Sequence, residues 1–401
     1  MDPHPALPIR TDTWRLLESL VAFDTTSRES NLGLIEWVRD WLGRQGVASR
    51  LTYDRAGRKA NLFATVPDRA RRDAGGLVLS GHTDVVPVDG QPWDTEPFRA
   101  TIRDDRVYGR GTADMKGFLA AALAMTPRFL AAELTAPVHF ALSYDEEVGC
   151  LGVRGLLEDL AANGIRPAGC IVGEPTEMQV VVAHKGKRAY RCCVRGREAH
   201  SSLTPHGVNA IEYAARLIVH IRGIADRLRD HEPRATGFDV PFTTMQTGTI
   251  RGGTAANIVP RDCEFEYEFR YLPGADPDGL VGEIESYARS VLEPEMKRVA
   301  PDAGFAFEAR EAIPGLDIED GHRLAELGKA LARNRTVGRV AYATEAGLFQ
   351  RAGIPSIICG PGSIAQAHRP NEYVALEQLA QCEAFLERLT AVDSGQWAAD
   401  S

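Results

Sequence analysis

Tyr108-Gly-Arg-Gly-Thr-Ala-Asp-Met-Lys-Gly117 begins like the glycine-rich turn of a dinucleotide-binding protein, with G-x-G and an apolar run behind it. Asp114 stands where that turn requires its third glycine, and its carboxylate would repel a pyrophosphate. Such a turn normally follows a strand, and no strand of useful length is predicted before Tyr108. A carboxylate at the start of a helix and close to Gly111 is better suited to contacting a cation. We therefore interpret Asp114 as a metal ligand.

The chain around this stretch alternates predicted helices with short apolar strands. A long Ala/Leu helix is predicted at Met115–Glu133, and helical spacing also occurs at Thr13–Phe23 and Asn31–Gln45. The runs rich in strand-forming residues are Gly76–Ser80, Val138–Ser143 and Gly169–Val172. This alternation predicts βαβ units, and therefore an α/β fold with a largely parallel central sheet.

A second pattern begins near His184 and predicts an inserted domain. Its order is strand, helix, strand, strand, helix, strand, which is typical of a two-layer α+β unit of the split βαβ, ferredoxin-like type. The stretch Lys187–Gly196, KRAYRCCVRG, has the character of a free edge strand. Helix–strand alternation resumes after Pro314. We predict a catalytic domain in two parts, residues 1–183 and 313–401, with the inserted domain at 184–312.

Length and composition limit the class of protein and its partners. A chain of 401 residues is too long for one ordinary core, so two to three domains are expected. The formal charge of −9 argues against a nucleic-acid partner, because neutralising phosphates requires a basic surface. No run approaches the roughly 18 apolar residues of a membrane span, and no signal peptide is predicted. Seven cysteines without C-x-x-C spacing indicate free thiols, so we expect a cytoplasmic protein.

Four predicted strands are each followed by side chains of the kinds that bind metals. The fourth of these strands is Ile354–Cys359, and the polar residues after the four strands are His82 and Asp84, Glu146 and Glu147, Glu174, and His368. Ligands of an open α/β sheet bind beyond the carboxyl ends of its strands, so we expect these side chains to converge. Carboxylates and imidazoles without cysteine suit Zn²⁺ and related divalent ions.

A pair of ions accounts for this set of donors. The predicted ligands are His82, Asp114, Glu147, Glu174 and His368. If Asp114 bridges, each ion has three protein ligands, and the three carboxylates offset three of the four positive charges. Paired ions of this kind lower the pKa of a bound water and polarise the substrate's carbonyl oxygen.

Two further carboxylates are predicted to support this chemistry. Glu146 and Glu147 are adjacent, so at a strand end they point in different directions, and one can bind metal while the other takes a proton. Asp84 shares a face with His82 and is predicted to hydrogen-bond the second nitrogen of its imidazole.

Five motifs in order resemble the M20 family of di-zinc amidohydrolases and peptidases, and the resemblance covers nearly the whole chain. They are SGHTDVVP, GRGTADMKG, DEEVG, GEPT and AHRPNEY. The resemblance implies a zinc-peptidase-like catalytic domain and an inserted domain that serves as lid and dimerisation surface. It implies one zinc on His82 and Glu174 and another on Glu147 and His368, with Asp114 bridging. Co²⁺ is an expected substitute, and the peptide bond after Asp114 is expected to be cis.

The resemblance also implies roles for residues outside the ligand set. Glu146 matches the catalytic acid and base, and Asp84 matches the carboxylate that supports a metal-bound histidine. His200 matches a histidine that assists the substrate's carbonyl oxygen and that family homodimers supply from the partner subunit. Asn257 and Arg270 match positions near the substrate's carboxylate.

Within the family, several stretches are most similar to the enzymes that remove the acetyl group from N²-acetyl-L-ornithine in arginine biosynthesis. They include AHKGK, GGTAANIVP, TEAG and GPGSIAQAHRPNEYV. We expect Glu345, in TEAG, to lie near the pocket for the distal amine of this small N-acyl amino acid. The alternatives within the family are acetyl-diaminobutyrate, an aliphatic N-acyl amino acid and succinyl-diaminopimelate.

Two alternatives belong to other classes of protein. A non-catalytic binder of amino-acid derivatives would be expected to have lost Glu146 or a ligand, and all six residues are present. A nicotinamide-binding protein is disfavoured by Asp114.

Overall fold

The computed structural model describes residues 7–67, 75–132, 134 and 136–391. They form two compact units. The first consists of the described residues within Met1–Ala183, Leu316–Gly338 and Thr344–Ser401, and the second of His184–Gly315 and Arg339–Ala343. Glu133, the predicted end of the long helix, lies outside the described residues, as do both ends of the predicted catalytic domain.

The helices, numbered in chain order, are α1 (Thr11–Val21), α2 (Leu32–Arg44), α3 (Gly117–Ala124), α4 (Thr126–Ala131), α5 (Gly152–Ala162), α6 (Ala210–His231), α7 (Pro277–Tyr287), α8 (Glu293–Lys297), α9 (Arg323–Ala332), α10 (Ala346–Arg351) and α11 (Leu376–Leu389). Shorter helical turns occupy Thr112–Lys116, Ser201–His206 and Ala288–Leu292.

The strands are β1 (Ser49–Tyr53), β2 (Ala60–Val66), β3 (Leu77–His82), β4 (Thr101–Arg103), β5 (Arg106–Tyr108), β6 (Val138–Ser143), β7 (Gly169–Val172), β8 (Val180–His184), β9 (Gly186–Arg195), β10 (Thr244–Gly252), β11 (Asp262–Tyr271), β12 (Gly304–Ile313), β13 (Leu316–Asp317), β14 (Val337–Val340), β15 (Ser356–Ile358) and β16 (Tyr373–Ala375).

The first unit is built on a sheet with the order β1-β2-β6-β3-β7-β15-β8-β13, in which β14 also pairs with β8. Its centre is parallel, because β3 runs parallel to β6 and β7, and β15 runs parallel to β7. Every residue of β3, β6 and β7 is buried, as expected for parallel strands covered on both faces. The predicted α/β class with a largely parallel central sheet is confirmed.

The predicted helix Met115–Glu133 is in fact a π-helical turn followed by α3 and α4. The sequence of α3 is apolar on all sides and lacks a polar face, and every one of its residues is buried. The break falls at Met125, and Pro127 occupies the first turn of α4, where its missing N–H costs no hydrogen bond. The prediction of one continuous helix is therefore wrong, because the chain breaks at Met125.

The second unit is a four-stranded antiparallel sheet with the order β10-β11-β9-β12. Its chain order is strand, helix, strand, strand, helix, strand. The prediction that Lys187–Gly196 is an edge strand is wrong, because β9 lies between β11 and β12. The charges that indicated an edge form cross-strand pairs instead, Arg191 with Glu264 and Lys187 with Glu311. Within this described sheet the edges are β10 and β12.

Two short segments of the predicted second part of the catalytic domain belong to the second unit, residues 313–315 and Arg339–Ala343. Arg339–Ala343 groups with His184–Gly315, because the backbone N–H of Lys185 donates to the carbonyl of Val340 at 3.3 Å. A search of the helices in the described ranges found none with the length and apolar character needed to cross a membrane.

Candidate metal centre

The carboxyl ends of three neighbouring strands form the base of the candidate site. β3 lies between β6 and β7. His82 is the last residue of β3, Glu174 follows two residues after β7, and Glu146 and Glu147 lie in the turn after β6. Because these parallel strands end at the same edge of the sheet, their polar residues meet there although they are distant in sequence.

Asp114 presents one carboxylate oxygen to each of two histidines. The Nε2 atom of His82 lies 2.9 Å from Oδ1 of Asp114 and 3.8 Å from Oε1 of Glu174. The Nε2 atom of His368 lies 2.9 Å from Oε2 of Glu147 and 3.4 Å from Oδ2 of Asp114. The structure thus brings the five side chains into two groups that share Asp114. A carboxylate between two groups of donors is placed to bridge two ions.

The donor atoms are of the kinds that hard and borderline cations prefer. Those of His82, Asp114 and Glu147 lie within 4.8 Å of one another, as do those of His82, Glu146 and Glu174. All are carboxylate oxygens or imidazole nitrogens, which suit Zn²⁺ and related divalent ions. The distances between donor atoms are compatible with either Glu146 or Glu147 as a ligand, so the other contacts of the two residues must distinguish them.

Burial and crowding give these groups unusual pKa values. Burial, together with the charge of Asp114, raises the pKa of Glu146 to about 7 and that of Glu147 to about 8. Hydrogen bonds to Asp114 and Glu147 raise the pKa of His368 to about 10. Burial acts to raise the pKa of Asp114, but hydrogen bonds from His368 and His82 lower it. The residues fit a divalent cation, because buried carboxylates at this density require a positive charge among them.

Asp84 supports the site by a route that differs from the prediction. The Nδ1–H of His82 donates to the backbone carbonyl of Asp84 at 2.9 Å, whereas the nearer carboxylate oxygen lies 3.6 Å away. That carboxylate accepts from the hydroxyl of Ser27 at 2.7 Å and from the N–H groups of Glu146 and Glu147 at 3.1 and 3.3 Å. The carboxylate therefore holds the Glu146–Glu147 backbone, and the carbonyl fixes the imidazole with Nε2 towards the site.

Glu372 holds the loop of Asp114 and was missed by the sequence reasoning. Its buried carboxylate accepts from the N–H groups of Gly111 at 2.9 Å, Ala113 at 2.9 Å and Asp114 at 3.1 Å, and from the guanidinium of Arg110 at 2.7 Å. The peptide bond after Asp114 is cis, as the family resemblance implies. The sequence could have indicated a role for Glu372 by its position, since it belongs to the same AHRPNEY motif as His368.

Two more side chains that the sequence reasoning missed fix the turn after β6. The ammonium of Lys59 lies 2.5 Å from Oδ1 of Asp145, and the thiol of Cys150 donates to Oε1 of Glu146 at 3.3 Å. Asp145 and Cys150 both have left-handed backbone conformations, with φ of +54° and +52°. Side-chain contacts thus stabilise a turn whose backbone is unfavourable for residues with a Cβ. No motif or spacing marks Lys59.

Residues 78–391 match the sequence profile of Peptidase family M20/M25/M40. The chain belongs to this family. It is 34% identical over 376 residues to an acetylornithine deacetylase of Photorhabdus laumondii, covering 92% of this chain and 93% of that protein. It is 36% identical over 362 residues to an acetylornithine deacetylase of Pectobacterium carotovorum, covering 89% of each.

The fold is also similar to that of an M20 family metallo-carboxypeptidase from Sulfolobus solfataricus. The TM-score is 0.75 at 20% identity, covering 96% of this chain and all (100%) of the other. The predicted family and the predicted class of enzyme, a metal-dependent hydrolase, are thus confirmed.

In this M20 chain Glu345 is a buried carboxylate at the start of α10, with 1% of its surface exposed. Burial raises its pKa to about 7. Its Oε1 atom has no hydrogen-bond partner among the described residues. Its charge raises the pKa of Glu146, so the two carboxylates lie close enough to interact.

The other sequence-predicted residues belong to the second unit. The Nδ1 atom of His200 accepts from the backbone N–H of Ser202 at 3.2 Å, so its proton is on Nε2, and the side chain is exposed. The N–H of Ser201 donates to the carbonyl of Asn257 at 3.0 Å, which places Asn257 beside His200. Arg270 lies on β11, with its Nε atom 3.5 Å from Glu268.

Proposed function

We propose that this M20 enzyme hydrolyses N²-acetyl-L-ornithine to L-ornithine and acetate, as a step of arginine biosynthesis. The observation that carries the proposal is the pair of donor groups that share Asp114, in a chain about one third identical to two acetylornithine deacetylases. The seven cysteines are free, which supports a reducing, cytoplasmic location.

The proposed cofactor is a pair of Zn²⁺ ions, with Co²⁺ as a substitute. His82 and Glu174 would hold one ion, Glu147 and His368 the other, and Asp114 would bridge them. When bound, such ions supply Lewis acidity for the amide carbonyl and make a water molecule acidic enough to attack it.

Glu146 is the proposed acid and base. The 2.9 Å distance from Glu147 to His368 supports Glu147 as the proposed ligand, whereas Glu146 accepts a hydrogen bond from the thiol of Cys150 at 3.3 Å. A general base must keep its carboxylate available for the proton. Glu146 would take the proton of the attacking water and deliver it to the nitrogen of the leaving amine. Asp84 would hold the backbone that aims Glu146.

His200 is proposed to stabilise the negative charge that develops on the carbonyl oxygen. Since Nδ1 accepts a hydrogen bond from Ser202, Nε2–H is a donor with no protein partner among the described residues. A pre-oriented donor aimed at a developing oxyanion contributes substantially to catalysis. We further propose that the chain is a homodimer formed through the second unit, and that each copy supplies His200 to the other.

The substrate's charged groups would be recognised by three residues. Arg270 and Asn257 are proposed to bind the α-carboxylate, for which a guanidinium is a natural partner. Glu345 is proposed to bind the distal ammonium, because its buried Oε1 atom has no partner among the described residues. A buried carboxylate with one oxygen unpartnered is costly even where a hydrogen bond with Ser143 lowers its pKa, and a substrate cation would relieve that cost.

A panel of substrates tests the proposal. The enzyme loaded with Zn²⁺ or Co²⁺ would be assayed at matched concentrations of N²-acetylornithine, N²-acetyl-diaminobutyrate, N-acetylmethionine and N-succinyl-diaminopimelate. We expect the highest kcat/KM for acetylornithine and none in the metal-free enzyme. A higher kcat/KM for one of the other three substrates would move the assignment to that substrate, with the same chemistry. Full activity without metal would reject the proposed chemistry.

A further inference from the structure

The loop that carries His368 is not held in place by the packing of that side chain. His368 exposes 55% of its side chain and has a left-handed backbone, with φ of +64°. Asn371, three residues later, is also left-handed, with φ of +57°. Such conformations are uncommon for residues other than glycine, so other contacts must select them here.

Gln91 supplies one of these contacts, to the backbone of His368 itself. Its Nε2 atom donates to the carbonyl of His368 at 3.1 Å. Its Oε1 atom accepts from the guanidinium of Arg110 at 2.7 Å and from the indole N–H of Trp93 at 3.1 Å. Because two donors surround Oε1, that atom must be the amide oxygen, and the NH₂ end of the amide must therefore face His368.

Gln91 is also connected to the loop of Asp114 through one buried side chain. The guanidinium of Arg110, 1% exposed, binds Gln91 on one side and the carboxylate of Glu372 on the other, at 2.7 Å. Glu372 in turn accepts from the backbone N–H of Asp114 at 3.1 Å. A continuous chain of hydrogen bonds therefore runs from the backbone of Asp114 to that of His368.

We infer that Gln91 is a positioning residue, which fixes the distance between His368 and Asp114 and so sets the affinity of the half of the site that contains His368. The inference rests on the ligand assignment in the proposed function. It concerns one half only, because the donors that belong to the other half alone, His82 at the end of β3 and Glu174 after β7, have no hydrogen bond to Gln91 among the described residues.

Gln91→Glu is the sharpest test, because it changes one contact. The new carboxylate can still accept from Arg110 and Trp93, but its second oxygen would face the carbonyl oxygen of His368, where a donor is now. Gln91→Met, similar in length but without the amide, is the second variant and adds no charge. Zn²⁺ would be titrated calorimetrically into metal-free protein, and Co²⁺ absorption spectra would follow the same two binding steps.

We expect both variants to weaken one binding step about tenfold and to leave the other within about twofold, since changes to groups that orient ligands typically cost 10- to 100-fold in affinity. The weakened step should be the one that His368→Ala abolishes. Asp94→Ala is the matched control. It removes the hydrogen bond from Asn371 to the side chain of Asp94 between the same two segments, and does not touch the contact from Gln91 to His368. It should leave both steps unchanged.

For folded variants, three results would overturn the inference alone: wild-type affinities in both Gln91 variants, equal weakening of both steps, or the same loss in Asp94→Ala. A wild-type protein that takes up fewer than two ions, or a His368→Ala variant that keeps both steps, would reject the ligand assignment as well. Unfolding midpoints of the metal-free variants would show whether they are folded. A variant that unfolds before the titration temperature would make Gln91 a residue of general stability and would also overturn the inference.

Discussion

The thiol of Cys150 donates a hydrogen bond to Oε1 of Glu146 across 3.3 Å. The turn between them makes this contact possible, because the N–H groups of Gly149 and Cys150 both donate to the carbonyl of Glu146, at 3.0 and 2.9 Å. Cys150 is fully buried and has a left-handed backbone. A side chain that points back at the proposed base restrains the direction of its carboxylate.

Cys150→Ala should therefore lower kcat without changing KM. A thiol is a weak donor, so we expect its bond to the carboxylate to contribute no more than an ordinary hydrogen bond, about 0.5–1.5 kcal/mol, which corresponds to a loss of about two- to tenfold. Cys150→Ser keeps a donor of similar size and should retain most of the activity. Steady-state kinetics at saturating Zn²⁺, with metal content measured in parallel, would check this. Equal kcat in the wild type and the alanine variant would show that the contact does not restrain Glu146.

The main alternative to the proposed chemistry is that Glu146 is the metal ligand and Glu147 is the general base. Glu146→Ala should retain both ions while kcat falls about 10²–10⁴-fold, the usual contribution of a general base. Glu147→Ala should lose one ion, because it removes a proposed ligand that lies 2.9 Å from His368. Metal analysis after dialysis, together with kcat, separates the two cases. One ion missing from Glu146→Ala would show that the roles are reversed.

The residues of the candidate site could be predicted where a strand ends, and the contacts that hold them could not. His82 and Glu174 are visible because polar residues follow buried strands. Gln91 and His368 are 277 positions apart, and Glu372 and Asp114 are 258 apart, so no local pattern connects them. These supporting contacts depend on which loops the fold brings together.

The error at Lys187–Gly196 has a related cause. Alternating charges on a strand indicate a solvated face, and that face exists in the second unit. A single sequence does not show which neighbouring strand supplies the opposite charges, and here both neighbours of β9 do so, through Glu264 and Glu311. Strand order depends on which distant segments pair, so the local pattern of one strand does not predict it.

Glu345→Gln should affect substrates according to their distal charge. If the buried carboxylate binds the substrate's ammonium, the variant should lose about 2–5 kcal/mol in kcat/KM for acetylornithine, the typical loss for a buried charge pair. Acetylmethionine has no distal charge, so its kcat/KM should fall much less. Equal losses on both substrates would show that Glu345 supports the structure of the site and does not bind the substrate's distal ammonium.

His139 should make the protein less stable in acid. It is buried on β6, with Nδ1 3.0 Å from the hydroxyl of Thr65 and Nε2 3.1 Å from the carbonyl of Gly75. Burial lowers its pKa from 6.5 to about 4. Between these values the unfolded chain binds the proton and the folded chain does not. The contribution to the free energy of unfolding is thus present above pH 6.5 and lost as the pH falls towards 4.

The size of this loss follows from the two pKa values. A difference of this size corresponds to about 3 kcal/mol over the whole interval. His139→Phe keeps the stacking on Phe63, with ring centroids 5.2 Å apart in the native protein, and removes the titration. Urea unfolding at a series of pH values should show a shallower acid slope in the variant, whatever its stability at neutral pH. Parallel curves for the two proteins would mean that His139 titrates normally in the folded state.

Exchange of subunits between two inactive variants would show which subunit supplies His200 to each site. The second unit has two sheet edges, and the β10 edge exposes Ile250, with 50% of its surface accessible. A free edge can pair with a second copy, and two-fold dimers are the most common outcome. If each copy supplies His200 to the other, two inactive variants should complement each other. Glu146→Ala keeps an intact His200, and His200→Ala keeps an intact Glu146.

A mixed dimer of the two variants would contain one complete site, made of the ions and Glu146 of one chain and His200 of the other. Random exchange makes half of the dimers mixed, and one of their two sites is complete. The recovered activity should therefore approach about a quarter of the wild-type value. The control is exchange of each variant with itself, which should recover nothing. If His200 acts within its own chain, every site in a mixed dimer lacks either His200 or Glu146. The mixture would then stay as inactive as its components, and the proposal that the partner supplies His200 would be rejected.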